Sequence, residues 1–378
     1  MRAVLTIIKG NLRKGKGAFI SIFILMFVLS LSLSAVLTIN TNSTRRDAQA
    51  LKEAGYGDTI ACVTDSNVVA NGTTVDALYD RIRTGEGVKS VRRINCIYGS
   101  LKELNGHNSS SSIIGMPYGS GSYNFVVFKG EGEGVYKEAP VLSDGEACVP
   151  ISYQSMYDCK IGDTFKLKVQ DGYKEFKVKY YFEDPFMGSS MMGVKTVLFT
   201  ESDIEKLRAA DDGSNETPIQ QGTYFDITKT EDAPASALKY AQKLNESTGI
   251  NNYAWLTMAT SQASSYMLIL TNIFSGILVA FVLLLLVVAI IVIGHSISSS
   301  IEMNYVNIGV LKAIGTSQSY LRLVFILQYG IAAFLGAVAG VPVAIPVVHL
   351  VNGMTLSVTG LNVSDQIALA ECVVSLGL

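Results

Sequence analysis

The stretch YVNIGVLKAIGTS, residues 305–317, is a short polar island between two long uncharged apolar runs. The preceding run covers residues 247–301 and the following run covers residues 323–364, and neither contains Asp, Glu, Lys or Arg. A third run of this kind covers residues 17–44. Each run contains the roughly 20 apolar residues that a helix needs to cross about 30 Å of hydrocarbon. The island is therefore predicted to be a compact loop between two membrane spans. A loop of this kind is accessible for binding by another protein.

The composition agrees with a membrane protein, because 49% of the residues are apolar and only 16% are charged. We predict membrane spans over residues 18–39, 266–294 and 323–349. One Lys or Arg at the centre of such a span would cost roughly 2.5–3.5 kcal/mol on insertion scales, so runs this long without charge favour spans. The first run could instead be a cleaved signal peptide, but it exceeds the usual apolar length and has no Ala-x-Ala cleavage pattern.

The basic residues before the first span indicate the orientation. Lys9, Arg13, Lys14 and Lys16 cluster there, and basic residues beside a span stay in the cytoplasm. This predicts a cell membrane protein with its N-terminus inside. The predicted cytoplasmic segments are residues 1–17 and 295–322, and the predicted outer segments are residues 40–265 and 350–365.

Residues 366–378 form only about half of a fourth span. Two explanations remain open: the sequence is a fragment of a longer protein, or this segment lies along the membrane interface. The predicted fold class is thus a multi-pass α-helical membrane protein, with three full spans, a partial fourth span and a large outer domain between the first two.

The outer portion is long enough for one or two compact subdomains and has an α+β pattern. Its clearest element covers residues 164–181, where apolar and charged residues alternate on both sides of Asp171-Gly172. This pattern predicts a β-hairpin with a two-residue turn.

Two further segments of the outer portion, residues 74–84 and 203–210, have helical spacing. Thr73 or Thr74 would cap the first helix and Ser202 the second. The Gly-rich and Ser-rich patches are predicted to be surface loops, at residues 105–112, 118–122 and 130–134.

The cysteines allow two interpretations. Cys62, Cys96, Cys148 and Cys159 fall in the predicted outer portion, where an oxidising environment permits disulfides, Cys148 with Cys159 being the closest pair in sequence. Buried free thiols are the alternative. Cys372 falls in the last apolar segment.

The sequence contains no pattern that is typical of a catalytic or cofactor-binding site. His107, His295 and His349 are far apart, without metal-ligand spacing, and no serine lies in a nucleophile elbow. Residues 10–17 come close to the phosphate-loop pattern, but Gly17 stands where the Mg²⁺-binding hydroxyl is required. We expect no enzymatic activity, no metal, no cofactor and no nucleic acid partner for this chain, and the basic cluster is better explained as an anchor near anionic lipid.

The island itself is predicted to fold as a helix, a break and a second helix. Ile301, Tyr305, Ile308 and Leu311 recur at helical spacing, which describes one short amphipathic helix. Lys312 would oppose the helix dipole in the last turn. Gly315 suits the left-handed position that ends a helix, and a second helix would begin at about residue 318 and continue into the third span. Pro342 and Pro346 are expected to kink or end that span.

The sequence of the island, IGVLKAIGTS at residues 308–317, followed by a span with Gly336 and Gly340, resembles the FtsX-like permease family of ABC transporters, of the MacB type. A second similarity lies in the outer portion, where PVLSDGEACVP at residues 140–150 and IGDTFKL at residues 161–167 look like a MacB-type extracytoplasmic domain.

The resemblance implies a membrane subunit without its own ATPase, whose short cytoplasmic helix docks on a separate ABC ATPase that binds ATP and Mg²⁺. A second permease copy or half, and membrane lipid, are the other partners it implies. The expected coupling residues are those of the island: Tyr305, Ile308, Gly309, Leu311, Lys312, Ile314 and Gly315. Ile308, Leu311 and Ile314 would be buried against the ATPase.

This chain departs from the family pattern at two positions. Asn307 stands where a charged residue is usual, and Gln328 stands where an acidic residue is usual early in the third span. Both departures weaken any expectation of ion pairs at these positions.

Three functions stay open: an exporter or extractor of a peptide, lipid or lipoprotein, a mechanical regulator of an envelope hydrolase, and a membrane-anchored sensor without an ATPase. We favour the exporter, because the outer domain is large and of MacB type.

Overall fold

The computed structural model describes residues 16–108, 111–119, 122–130, 134–213, 217–303, 305–313, 315 and 317–376. The chain divides into two compact units. Unit 1 comprises residues 1–42, 271–352 and 364–378, and unit 2 comprises residues 43–270 and 353–363. The predicted basic cluster at Lys9, Arg13 and Lys14 lies outside the described residues.

The helices of the described chain are α1 (Lys16–Ala54), α2 (Asp65–Ala70), α3 (Val75–Arg83), α4 (Tyr153–Tyr157), α5 (Glu201–Ala209), α6 (Ala237–Thr248), α7 (Thr260–Met267), α8 (Ile269–Met303), α9 (Tyr305–Ala313), α10 (Gln318–Thr359) and α11 (Leu369–Leu376). The strands are β1 (Thr59–Thr64), β2 (Val88–Leu104), β3 (His107–Asn108), β4 (Ser112–Pro117), β5 (Val126–Val127), β6 (Glu146–Pro150), β7 (Thr164–Val169), β8 (Gly172–Glu183), β9 (Val194–Phe199), β10 (Ile219–Lys229) and β11 (Ala254–Ala259).

Three helices of the described chain are long and apolar enough to cross a membrane, namely α1, α8 and α10. They coincide with the three charge-free runs of the sequence, and each extends beyond the predicted span. The first helix continues to Ala54, so the N-terminal end of the predicted outer portion is helical. The second continues to Met303, and it includes Ile301, which the sequence had assigned to the short island helix.

The region after the third predicted span differs from the prediction. We expected a loop over residues 350–365, but α10 stays helical to Thr359. Pro342 and Pro346 lie inside α10, so the expectation that either of them ends the helix is wrong. The residues after Pro346 remain helical partly because they find packing partners: Val348 packs against Ala35 and Ile39 of α1.

Small residues bring α1 and α10 close together in unit 1. A Cβ added to Gly336 would lie 2.5 Å from the carbonyl oxygen of Phe23, and one added to Gly340 would lie 2.6 Å from the carbonyl oxygen of Phe27. The Ser30 hydroxyl also donates a hydrogen bond to the Ala337 carbonyl at 2.6 Å. Small residues spaced four apart allow this approach of two backbones in helices that cross a membrane.

Unit 2 is built on one mixed sheet. The strand order is β11-β1-β10-β2-β4-β9-β6-β8-β5, while β3 pairs with β2, and β7 pairs with both β2 and β8. Most neighbours are antiparallel, but β4 pairs parallel with β9 and β6 pairs parallel with β8. Unit 2 contains both helices and this sheet, which confirms the α+β pattern predicted for the outer portion.

Apolar side chains bury the sheet on both faces. On β1 and β10, Ala61, Val63 and Phe225 pack with Leu78 of α3 and Leu244 of α6. On the opposite face of these strands, the core contains Ile60, Cys62, Ile94, Cys96 and Tyr224. A third cluster fills the other half of the sheet around Phe165, Phe176 and Phe199. The alternation of residues between two buried faces explains why these strands are so rich in apolar residues.

The predicted hairpin is present as β7 and β8, which pair antiparallel from Val169↔Gly172 outward. The two loop residues are therefore Gln170 and Asp171, one position earlier than predicted, and Gly172 begins the second strand. Gly172 has a φ of +130°, a conformation that a residue with a side chain rarely adopts.

The helix caps were predicted correctly in one case. Thr74 is the N-cap of α3, and its hydroxyl accepts a hydrogen bond from the Ala77 amide at 3.2 Å. For α5 the predicted cap Ser202 is wrong, because Thr200 occupies the cap and accepts from the Asp203 amide at 3.1 Å. Ser202 lies inside the first turn of α5, and its hydroxyl donates a hydrogen bond to the Asp144 carboxylate.

The segment after β2 is a hairpin and not the predicted loop. Leu104 pairs with His107, so Asn105 and Gly106 form a two-residue turn in which both φ angles are positive. Asn-Gly is the sequence most typical of such a turn, since both residues tolerate positive φ, and this signal was missed. The predicted loop also ends early, because β4 starts at Ser112.

The cysteines of unit 2 are buried thiols. Cys62, Cys96, Cys148 and Cys159 are all buried, and none of them forms half of a disulfide. Of the two interpretations of the cysteines, buried thiols are confirmed. Burial raises the pKa of the Cys96 thiol to about 12, so this group stays protonated at neutral pH.

Candidate functional site

The polar island folds as a helix, a break and a helix. The short helix α9 covers Tyr305–Ala313, and α10 starts at Gln318, where the sequence predicted it. At the break, Gly315 has a φ of +91° and its amide donates to the Lys312 carbonyl at 3.0 Å. A positive φ is the reason that the sequence favours glycine at this position, and this part of the prediction is confirmed.

One face of α9 is apolar and exposed. Val306 is 76% exposed and Val310 is 58% exposed, and Tyr305 lies exposed beside them. Gly309 and Ala313 are exposed as well. Val306 and Val310 are four residues apart, as are Tyr305 and Gly309, and Gly309 and Ala313, so these five positions share one broad side of the helix. We call this surface, formed by Tyr305, Val306, Gly309, Val310 and Ala313, the α9 face.

Only some of the predicted coupling residues belong to the α9 face. Tyr305 and Gly309 belong to the α9 face, and Lys312 is exposed in the last turn, at the edge of that face. Ile308, which was expected to bind a partner, is only partly exposed and lies on another side of the helix. The Leu311 side chain and the whole of Ile314 lie outside the described residues.

Val306, Val310 and Ala313 were missed by the sequence reasoning. Their signal was present in part, because Val306 and Val310 lie four residues apart and Ala313 lies four residues from Gly309. Among the described side chains of α9, Val306 and Val310 are exposed and Ile308 is partly exposed. Of the two departures from the family pattern, the Asn307 side chain is not described, and Gln328 is buried in α10.

In unit 2, charged groups connect the end of α1 to the sheet. Arg46 of α1 binds Glu183 at the end of β8 with two nitrogens, and the Nε–Oε1 distance is 3.0 Å. Its Nη1 also donates to Oε2 of Glu53 at 2.9 Å. The backbone amide of Asn362, in the segment after α10, donates to Oε1 of Glu183 at 3.1 Å. We call Arg46, Glu53, Glu183 and Asn362 the Arg46 junction.

The carboxylate of the Arg46 junction is deeply buried. The Glu183 side chain is 1% exposed and the Arg46 side chain is 16% exposed. Burial raises the pKa of Glu183, and the hydrogen bonds from Arg46 and Asn362 act in the opposite direction, because they stabilise the charged form. A buried carboxylate depends on such partners, since an unpaired charge in an apolar environment is costly.

An apolar cluster lies next to these charged groups. Ala50 of α1 packs with Met267 and Leu268, at the end of α7, and with Leu361. The end of α1 and the segment after α10 therefore meet the end of β8 through charged contacts and the end of α7 through apolar contacts. No sequence pattern indicated this meeting, because Arg46 and Glu183 are 137 residues apart.

Metal ligation finds no support in the geometry. Within the ranges described above, no group of three or more His, Cys, Asp or Glu side chains converges. His349 contacts Asp365 instead, with 2.6 Å between Nδ1 and Oδ2.

A comparison with known protein families finds a match for the part of the chain that contains α9. The model of the FtsX-like permease C-terminal family matches residues 279–378. The FtsX-like match includes most of α8, the whole α9 face and α10, so the expectation of an FtsX-like permease is confirmed for this segment. Proteins of this family are generally membrane subunits without enzymatic activity, and the apolar helices of unit 1 agree with a location in a membrane.

Among solved structures, the chain is similar to the periplasmic region of MacB from Actinobacillus actinomycetemcomitans, with 9% sequence identity. The similarity covers 57% of this chain and 94% of that protein, at a TM-score of 0.28, which is too low to carry a further argument. No curated protein matches the chain.

Proposed function

We propose that this chain is the permease subunit of an ABC transporter, which couples ATP hydrolysis by a separate cytoplasmic ATPase to a conformational change in unit 2. The proposed result is export or extraction of a peptide, a lipid or a lipoprotein. ATP and Mg²⁺ belong to the partner in this proposal, and a second permease copy or half completes the assembly in the cell membrane, with the N-terminus in the cytoplasm.

The observation that carries the proposal is the α9 face. It presents apolar side chains on a short helix between two long apolar helices, inside the segment that matches the FtsX-like family. An exposed apolar surface on a soluble loop is typical of a protein interaction site. Glycine in the middle of this surface, at Gly309, would let a partner approach the backbone of α9 closely.

The Arg46 junction supplies a route for the conformational change. The helices α1 and α10 both have their N-terminal parts in unit 1 and their C-terminal ends in unit 2. A displacement of either helix would act on β8, because Arg46 and Asn362 both bind the same carboxylate, that of Glu183. This is the proposed path by which movement of the membrane helices alters unit 2.

Co-purification tests the docking surface. Wild type and Val310→Asp are expressed with candidate ABC ATPases from the same cell and purified in nanodiscs, and the amount of ATPase recovered per permease is measured. A charge placed in the centre of an apolar interface typically costs at least about 2 kcal/mol, so we expect recovery to fall at least tenfold.

Gln318→Asp is the matched control. It adds the same charge to an exposed position in the same segment, at the start of α10, where the helix dipole favours an acidic residue. Recovery should stay near the wild-type value. Equal ATPase recovery by wild type and Val310→Asp would disprove the assignment of the α9 face, and the absence of any ATPase with wild type would argue against the permease proposal itself.

A further inference from the structure

A cleft of about 590 Å³ opens on unit 2 beside the single tryptophan of the chain. Its floor consists of neighbouring strands: Gln220 of β10 pairs with Tyr98 of β2, and Ser100 of β2 pairs with Ser112 of β4. Trp255, in β11, lines one side. We call this feature the Trp255 cleft, and neither the α9 face nor the Arg46 junction contributes residues to it.

Trp255 is held in place as a flat apolar platform. Its side chain is 45% exposed, which is unusual for so large an apolar group. Its ring meets the Tyr98 ring edge to face, with 5.1 Å between the ring centroids. The Tyr98 hydroxyl in turn donates to the Thr223 carbonyl at 3.3 Å. The indole thus offers exposed surface in a fixed orientation, so that little conformational entropy is lost when a ligand binds against it.

Uncharged polar groups surround this platform. Four hydroxyl groups and two amides line the cleft: Thr64, Ser100, Ser112, Thr217, Asn67 and Gln220. The Thr217 side chain is only 8% exposed, and its Oγ1 finds no hydrogen-bond partner among the described residues. This oxygen has less than 1 Å² of accessible surface, so it meets a ligand in the cleft only after the Thr217 side chain rotates about χ1. A hydrogen bond formed in that way would remove the free-energy cost of a buried hydroxyl without a partner.

The described lining of the cleft is uncharged. None of the twelve described residues that line it carries a formal charge. Other clefts on unit 2 differ in this respect: one contains Lys177 and Lys179, another contains Glu103 and Lys166, and a third contains Arg93 and Glu205. An ionic ligand would therefore find no counter-charge among these twelve residues, whereas a neutral ligand needs none.

The floor also lacks the backbone groups that an extended peptide requires. At Gly99, β2 pairs on one side with Ile219 of β10 and on the other side with Ile113 of β4. At Ser112, β4 in turn pairs with Val194 of β9. A peptide that adds a strand to a sheet needs an unpaired edge, and β2 and β4 offer none here. The edge strand β11 borders the cleft at Trp255, so an uncharged peptide is included in the test below.

We propose that the Trp255 cleft is a binding site for a neutral saccharide. A sugar ring has an apolar C–H face, which fits against the indole of Trp255, and a rim of hydroxyl groups, which fits the hydroxyls and amides around it. It carries no charge, in agreement with the lining. The Thr217 hydroxyl supplies the buried hydrogen-bonding group. This site is independent of the proposed ATPase, and its test contains no ATPase.

Tryptophan fluorescence tests the proposal directly, since Trp255 is the only tryptophan of the chain. The full chain in detergent is titrated separately with three neutral disaccharides, namely cellobiose, maltose and N,N′-diacetylchitobiose, and with a capped, uncharged tripeptide. We expect a saturable blue shift with at least one disaccharide, because the sugar displaces water from the indole. A response to the tripeptide alone, or no response to any disaccharide, would overturn the proposal.

Thr217→Val and Thr228→Val form a matched pair of variants. Both remove one hydroxyl from a threonine and retain its shape, but Thr228 lies at the far end of β10, away from the cleft. Loss of one hydrogen bond should weaken the apparent affinity of Thr217→Val about three- to tenfold and leave Thr228→Val unchanged. Equal affinities in both variants would refute the role of the Thr217 hydroxyl, and binding retained by Trp255→Ala in calorimetry would refute the role of the platform.

Discussion

Arg46→Met tests whether the buried carboxylate of Glu183 depends on its arginine. Methionine retains an apolar stem of similar length, so the change removes the charge and the hydrogen bonds more than the packing. Glu183 would be left buried, with the Asn362 amide as its remaining donor in the Arg46 junction. It can then escape the cost of an unpaired charge only by taking up a proton.

The cost of that proton sets the magnitude. The ordinary pKa of this carboxyl is 4.5. Protonation at pH 7 costs about 1.4 kcal/mol for each of the roughly 2.5 pH units above that value, which gives about 3.5 kcal/mol as the loss of stability in Arg46→Met. At pH 5 the same calculation gives less than about 1 kcal/mol. The sign follows from linkage: the variant raises the pKa of Glu183 in the folded state further, so its stability relative to wild type decreases as the pH rises.

Denaturant unfolding followed by Trp255 fluorescence measures this loss, because Trp255 lies in unit 2. Lys243→Met is the control, since it removes an exposed ion pair with Glu86, and it should cost less than about 1 kcal/mol at either pH. Glu183→Gln should show no such pH dependence, since it removes the titrating group. If Arg46→Met lost the same free energy at pH 5 and pH 7, an unpaired Glu183 could not be the cause.

Two further predictions concern a buried acid and a helix contact. Burial raises the pKa of Asp226 to about 6, from 3.8, so its contribution to stability is lost as the pH rises through that range. The stability of Asp226→Asn relative to wild type should therefore rise by about 2 kcal/mol from pH 4 to pH 7 in the same unfolding assay, and a flat difference would contradict the shift. Gly340→Ala should lower the melting temperature in detergent, measured by circular dichroism, because the new methyl group meets the backbone of α1. Gly330→Ala, in the same helix with open space around it, should not lower it, and equal effects of the two variants would argue against close packing at Gly340.

Local features of the sequence predicted much of the architecture. The charge-free runs identified all three long helices, because an apolar run of that length has no other favourable environment than a membrane or a buried core. Gly315 marked the break before α10, and the alternation around Asp171 marked the hairpin, since turns and helix ends depend on the backbone preferences of a few adjacent residues. The same kind of local signal at Asn105-Gly106 was available and was overlooked.

Tertiary contacts decided the features that matter for function. Arg46, Glu183 and Asn362 come from distant parts of the chain, and only the folded sheet brings them together. The Trp255 cleft likewise joins strands whose pairing no short segment specifies. On α9, the sequence allowed two apolar stripes, and the structure shows that Val306 and Val310 are exposed. Sequence alone determined the three long helices and the break at Gly315, because those depend on neighbours along the chain, whereas burial and charge pairing depend on neighbours in space.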